Sequence, residues 1–250
     1  MIQIKDLWKR YGSFEVLRGL NLEVRQGEIL VILGRSGVGK SVLLRQIIGI
    51  EKPDRGSITV DGVEITALKK NEIYQAVRNM GMLFQGAALF DSMNLEENTG
   101  FYLKEHRLFS PREIQEKVAV ALQKVGLEGA EKKMPSDLSG GMRKRAGLAR
   151  LLVYRPSILL YDEPTTGLDP ITSQQINELI VNTQNELKGT SIVVTHDIHS
   201  ALFMADRLAL HCDGQISHVA EPKEFMNIDD PIINFLRETL ATQARKDTPP

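Results

Sequence analysis

Residues 34–41 read GRSGVGKS and fit the spacing G-x-x-x-x-G-K-S/T. In that pattern glycines let backbone N–H groups face phosphate oxygens, and the lysine offsets charge at the β/γ oxygens. The hydroxyl after it can ligate Mg²⁺. Gly34, Ser36, Gly37, Val38, Gly39, Lys40 and Ser41, with the backbone N–H of Val42, are therefore candidate nucleotide-phosphate ligands. Further along, the apolar run 158–161 ends in Asp162-Glu163. Asp162 is placed to hold Mg²⁺ through water, and Glu163 to orient or deprotonate a water attacking a γ-phosphate.

Other polar residues close short apolar runs in the same way. Gln85 follows residues 81–84, where its amide can meet both Mg²⁺ and water. His196 follows residues 192–195 and can touch a γ-phosphate. Tyr11 precedes Gly12 in a turn; its ring suits stacking on adenine, and a buried packing role suits it equally. Residues 138–150 read LSGGMRKRAGLAR. Ser139 is a good helix N-cap, and a helix start favours an anion. Arg143, Lys144 and Arg145 are expected to form a solvated or dipole-opposing face rather than phosphate ligands, because a helix start disfavours positive charge.

These residues need elements to hold them. Residues 2–7 and 20–24 alternate like strands, with turns at Gly12-Ser13 and at 25–28. Ile29–Leu33 is a short apolar run without alternation, as a buried parallel strand requires, and it leads through the glycine loop into a helix over 40–50. Residues 53–62 read as a hairpin. Helical spacing covers 111–125 and 139–153, while 158–161 and 191–195 are again short buried strands, with helices between and after them. The pattern predicts an α/β fold with a parallel-sheet core over about 1–85 and 155–225 and a helical insertion over 86–154. The polar, proline-ended stretch 243–250 is expected to be a flexible tail.

With 250 residues and a net charge of −1, the chain can bury a full core, and it offers no global basic surface for nucleic acid. The single cysteine, Cys212, excludes an internal disulfide and a cysteine metal cluster. The start, MIQIKDLWKR, has no apolar stretch of signal-peptide type, and no apolar run approaches the roughly 20 residues of a membrane span.

Taken in order, Tyr11, residues 34–41, Gln85, 138–141, Asp162-Glu163, 167–169 and His196 resemble the ATP-binding subunits of ABC transporters over about residues 2–225. The resemblance implies a P-loop NTPase (RecA-like) core with a small N-terminal antiparallel β region and an inserted helical subdomain, one ABC ATPase domain over 1–242. It implies ATP and Mg²⁺ as ligands. Tyr11 would stack on adenine, Ser41, Gln85 and Asp162 would serve Mg²⁺, Glu163 would be the catalytic base, and His196 would sense the γ-phosphate. It also implies an ATP-sandwich dimer in which Ser139, Gly140 and Gly141 of one copy meet ATP held by the other, with Asp169 a contact across the dimer. Val42 stands where threonine is common, so one hydroxyl is missing and ATP binding is expected to be weaker by about 0.5–1.5 kcal/mol.

Residues 84–106, FQGAALFDSMNLEENTGFYLKEH, and Met142 in place of the usual glutamine are similar to the ATPases of Mla or MCE-associated phospholipid transporters. That implies a motor moving phospholipid between membranes of a Gram-negative-type envelope, held peripherally on the cytoplasmic side of the inner membrane by an integral permease. Ala87, Ala88, Leu89, Phe90 and Met93 would form the permease-docking groove, though a place in the helical core fits them too. An MCE-domain protein and a small regulatory subunit are further implied partners. An importer ATPase for amino acids or another small solute is the alternative.

Overall fold

The protein is described by a computed structural model covering residues 1–247. β1 (Ile2–Tyr11) and β2 (Phe14–Val24) form an antiparallel hairpin that closes at Gly12-Ser13. Both strands outrun their apolar alternation, because pairs such as Trp8 with Arg18 and Arg10 with Glu15 carry the ladder through charged residues. β3 (Ile29–Leu33) and α1 (Lys40–Ile47) flank the glycine loop. The helix ends short of the expected residue 50, at a turn made by Gly49. β4 (Arg55–Val60) and β5 (Val63–Glu64) are the expected hairpin; β4 also pairs with β1, giving an antiparallel sheet ordered β2-β1-β4-β5.

The central sheet adds β6 (Met80–Leu83), β7 (Ile158–Asp162), β8 (Thr190–Thr195), β9 (Arg207–Cys212) and β10 (Gln215–Ala220), in the order β10-β9-β3-β8-β7-β6. All its pairings are parallel except that of β10 with β9. The β9–β10 hairpin lies in a region that the sequence left to the helices after β8. α2 (Lys70–Ala76) precedes β6. Between β6 and β7 run α3 (Leu95–Glu105), α4 (Pro111–Lys124) and α5 (Gly140–Leu152), with Asn94, Ser110 and Ser139 as N-caps. α6 (Pro170–Leu187), α7 (Ile198–Met204), α8 (Pro222–Phe225) and α9 (Pro231–Asp247) complete the order. α9 runs into the stretch expected as a tail, and residues 248–250 lie outside the described residues.

Side-chain alternation splits the core in two. Val31, Leu33, Leu159, Tyr161, Val193 and Leu210 face the helical side, with Leu95, Leu122, Leu148 and Ile180. Leu30, Ile32, Leu160, Ile192 and Val194 face the other way, onto α1 and the antiparallel sheet. A strand's period of two sends neighbours to opposite faces, so a strand covered on both faces must be apolar throughout.

Register then fixes the site. Leu33 pairs with Thr195, Asp162 with Val194, and Leu83 with Tyr161. β3, β6, β7 and β8 therefore stop along one edge, and the residues that follow them meet there.

Candidate functional site: the phosphate loop and carboxylate edge

Residues 34–39 leave β3, and α1 begins at Lys40, N-capped by Gly39 in a left-handed conformation at φ 106°. A Cβ on Gly39 would lie 2.5 Å from Val16 Cγ1, so only glycine fits the turn against β2. The first intrahelical bond is Leu43 N–H to Gly39 O at 3.0 Å. The N–H groups of Lys40, Ser41 and Val42 thus have no partner within the helix, and they cluster where the helix dipole is positive. Ser36 and Gly37 are exposed and Val38 is half-buried. The Val42 side chain points away into the core, so its isopropyl group stays in contact with apolar neighbours while its N–H remains at the loop.

Lys40 is buried. Its Nζ donates to Gly34 O at 2.7 Å and Arg35 O at 3.0 Å, and lies 3.1 Å from Glu163 Oε1. Ser41 Oγ donates to Asp162 Oδ1 at 2.7 Å, joining residues 121 apart in the chain. Burial holds the Asp162 carboxyl above its usual pKa, against the pull of the Ser41 hydroxyl. A hydroxyl and a carboxylate side by side at a site's edge suit a hard cation such as Mg²⁺, which takes few protein oxygens beside phosphates and water. Gln85, exposed at the end of β6, is a third oxygen-bearing side chain at that edge.

Glu163 turns the chain left-handed at φ 47°, an uncommon backbone for a non-glycine residue. Its N–H donates to Val194 O at 3.0 Å. Its Oε2 accepts from Thr166 Oγ1 at 3.0 Å and lies 2.8 Å from His196 Nδ1. Glu163 is 8% exposed, its carboxylate held from several sides while keeping one oxygen against Lys40. Lys40, Ser41, Asp162, Glu163 and His196 thus form one connected cluster.

Tyr11 stands apart from it at the hairpin tip, 46% exposed, its hydroxyl donating to Glu51 and Lys9 Nζ 5.6 Å from its ring centre. The exposed ring is open to stacking; the buried packing role does not hold. Among the described residues no hydrogen bond joins Ser139, Gly140 or Gly141 to the glycine loop of the same chain. The Ser139 hydroxyl accepts from Met142 N at 3.3 Å, capping its own helix. Gly141 has a packing reason of its own: a Cβ there would sit 2.6 Å from Thr172 Cγ2 on α6. Asp169 N-caps α6, accepting from Thr172 N at 3.0 Å. Of the groove residues, Ala87 is core, Leu89 and Met93 are half-buried, and Ala88 and Phe90 are exposed.

One expectation is corrected. Lys144 is not on a solvated face: it is 5% exposed, and its Nζ donates to the carbonyls of Gln85 and Glu163. Arg145 is half-buried on Val125 O at 3.0 Å and Gln175 Oε1 at 2.6 Å; only Arg143 of the three is exposed, though it too donates to a backbone carbonyl, Leu138 O, at 2.6 Å. Lys144 falls in phase with Gly147, Leu148 and Leu151, at i+3, i+4 and i+7, so helical periodicity carried a signal that charge alone obscured.

The ABC transporter family model matches residues 17–166. The chain is 41% identical over 232 residues to the probable ribonucleotide transport ATP-binding protein mkl of Mycobacterium leprae, covering 93% of this chain and 67% of that protein. It is 38% identical over 238 residues to the intermembrane phospholipid transport system ATP-binding protein MlaF of Haemophilus influenzae, covering 95% of this chain and 90% of that one. A dimeric post-hydrolysis structure of the ATP-binding cassette MJ0796 bound to ADP and Pi superposes with a TM-score of 0.82 at 30% identity, over 89% of this chain and 99% of the other.

Proposed function

This chain belongs to the ABC transporter family and is its ATP-hydrolysing type of subunit, and from that premise we propose that it powers phospholipid movement between membranes. The observation that carries the hydrolytic part is the Lys40–Glu163–His196 cluster beside the Ser41–Asp162 pair. The open amides of residues 40–42 and the Lys40 ammonium bind the phosphates, Lys40 exchanging its carbonyl partners for phosphate oxygens. Ser41 and Gln85, with Asp162 through water, would hold Mg²⁺, which would supply charge neutralisation at the phosphates. Glu163, steadied by Thr166 and His196, takes the proton of the attacking water. His196 reports the γ-phosphate, and Tyr11 stacks on adenine.

Ser139, Gly140 and Gly141 complete the site of a second copy, a reading supported by the dimeric, ADP- and Pi-bound form of the MJ0796 cassette. ATP then joins two copies, and loss of the γ-phosphate loosens them. Glu163→Gln tests this: it should bind ATP, turn over poorly and accumulate as an ATP-bound dimer on gel filtration. A monomer with full turnover removes the base assignment.

The names of the relatives differ on cargo, ribonucleotide for one and phospholipid for the other. Near-complete mutual coverage with MlaF supports phospholipid, as do residues 84–106 and Met142. Among the described residues no helix is long and apolar enough to cross a membrane. In this reading the cassette works peripherally, on the cytoplasmic side of the inner membrane, through a permease that docks beside Ala88 and Phe90, as the similarity to MlaF supports. An MCE-domain protein and a small regulatory subunit are its further partners. Reconstitution with that permease should give ATP-dependent phospholipid transfer between vesicles; ATP-dependent uptake of a small solute without lipid transfer points instead to the importer class.

A further inference from the structure

We propose that Lys144 is a positioning residue that couples a protomer's own ATP site to the signature helix it offers its partner. The inference rests on the ATP-sandwich reading above.

A buried ammonium near the start of a helix is opposed by lost hydration and by the positive end of the helix dipole. Burial pulls the Lys144 pKa below the usual lysine range, although the Asp162 and Glu163 carboxylates pull the other way. Packing alone is better served by leucine or methionine at this position. What the ammonium does here is serve two carbonyls that lie beyond the ends of the sheet's ladder. Gln85 O belongs to the turn after β6, and Glu163 O to the left-handed turn after β7. One atom of α5 thus holds the backbone of both Gln85, read as meeting Mg²⁺ and water, and Glu163, read as the base for the water that attacks the γ-phosphate.

The same helix face has no slack further along. A Cβ on Gly147 would lie 2.5 Å from Leu83 Cδ1 and 3.3 Å from Ala87 Cβ. Arg150 donates to Ala88 O and stands 5.2 Å from the Phe90 ring centre. Ala87 and Ala88 are left-handed, at φ 62° and 47°, so the loop after Gln85 keeps its shape only because neighbours such as Arg150 hold it. Positions 144, 147 and 150 recur at helical spacing and bolt α5 to the loop from 83 to 90. Ser139 lies five residues before Lys144, about 7.5 Å along the axis at about 1.5 Å per residue. A shift of the Gln85 or Glu163 backbone on γ-phosphate binding is therefore passed to the helix start that meets the partner's ATP. ATP in one site prepares the other.

The test uses the Glu163→Gln chain, whose ATP-dependent dimer is read by gel filtration, with and without Lys144→Met. In parallel, a fluorescent ATP analogue measures nucleotide affinity at protein concentrations dilute enough to keep the chain monomeric. Lys144→Met should raise the ATP needed for half-dimerisation at least tenfold, leave the monomer's affinity within twofold, and be rescued by Lys144→Arg, which keeps donors for both carbonyls. Dimerisation at the unshifted ATP concentration overturns the coupling. So does a parallel loss of monomer affinity, which marks a general packing defect. A Glu163→Gln chain that never dimerises fells the sandwich reading and this inference with it. Hydrogen exchange on the dilute Glu163→Gln chain decides the matter even if Lys144→Met does not fold. ATP should change exchange at residues 85–88 and 139–144 together, and a response confined to 85–88 refutes the link.

Discussion

Acidification from pH 7 to pH 5 should weaken this fold through His211, and His211→Leu should remove that weakness. His211 sits on β9, its backbone O so near the glycine loop that a Cβ on Gly34 would lie 2.7 Å from it. The imidazole is 1% exposed, and neither ring nitrogen has a hydrogen-bond partner among the described residues. Burial, reinforced by the Lys40 ammonium, lowers its pKa from 6.5 to about 4. Between these values the unfolded chain carries a proton on this ring and the folded chain does not. Stability from this group is therefore undiminished above 6.5 and falls with pH, the loss being complete below about 4. At about 1.4 kcal/mol per pH unit the full loss is about 3 kcal/mol, of which about 2 kcal/mol has appeared by pH 5. Urea unfolding of both chains at pH 7 and pH 5 reads it. Leucine removes two unpartnered nitrogens, so the variant should be more stable by about 1–3 kcal/mol at pH 7. Its advantage should widen by about 2 kcal/mol at pH 5. Titrations common to both chains cancel in the comparison. An advantage that stays the same at the two pH values refutes the reasoning.

Lys40→Ala should abolish ATP binding measured by equilibrium dialysis; an unchanged affinity would undo the phosphate assignment. Ser139→Arg should block turnover while a single chain still binds ATP, and normal hydrolysis by that variant would remove the shared site. Gly141→Ala should destabilise by about 1–3 kcal/mol in urea, because the new methyl meets Thr172 Cγ2. Adding Thr172→Ser, which deletes that methyl and keeps the hydroxyl for Asp169, should restore most of the loss; no recovery would mean that the clash is not the cause.

Contiguous chemistry was legible in the sequence. The glycine loop is one run of residues leading straight into the helix whose amides it exposes, so type and spacing suffice. The short apolar runs ending in Gln85, Asp162-Glu163 and His196 likewise announce buried parallel strands with polar ends, because burial on both faces permits little else. Ser139 as an N-cap is equally local. Which groups touch was decided by the fold. Strand register, a property of the whole sheet, sets Ser41 against Asp162 and Lys40 and His196 on either side of Glu163. The β9–β10 hairpin, which brings His211 to the glycine loop, has no signal in the motifs. Gly141 looked like part of a phosphate site, yet packing against Thr172 requires it as well. Lys144 carried a surface residue's charge, and its burial depends on two carbonyls contributed by the turns that follow two distant strands. Backbone carbonyls leave no mark on amino-acid type, so their partners are known only once the chain has folded around them.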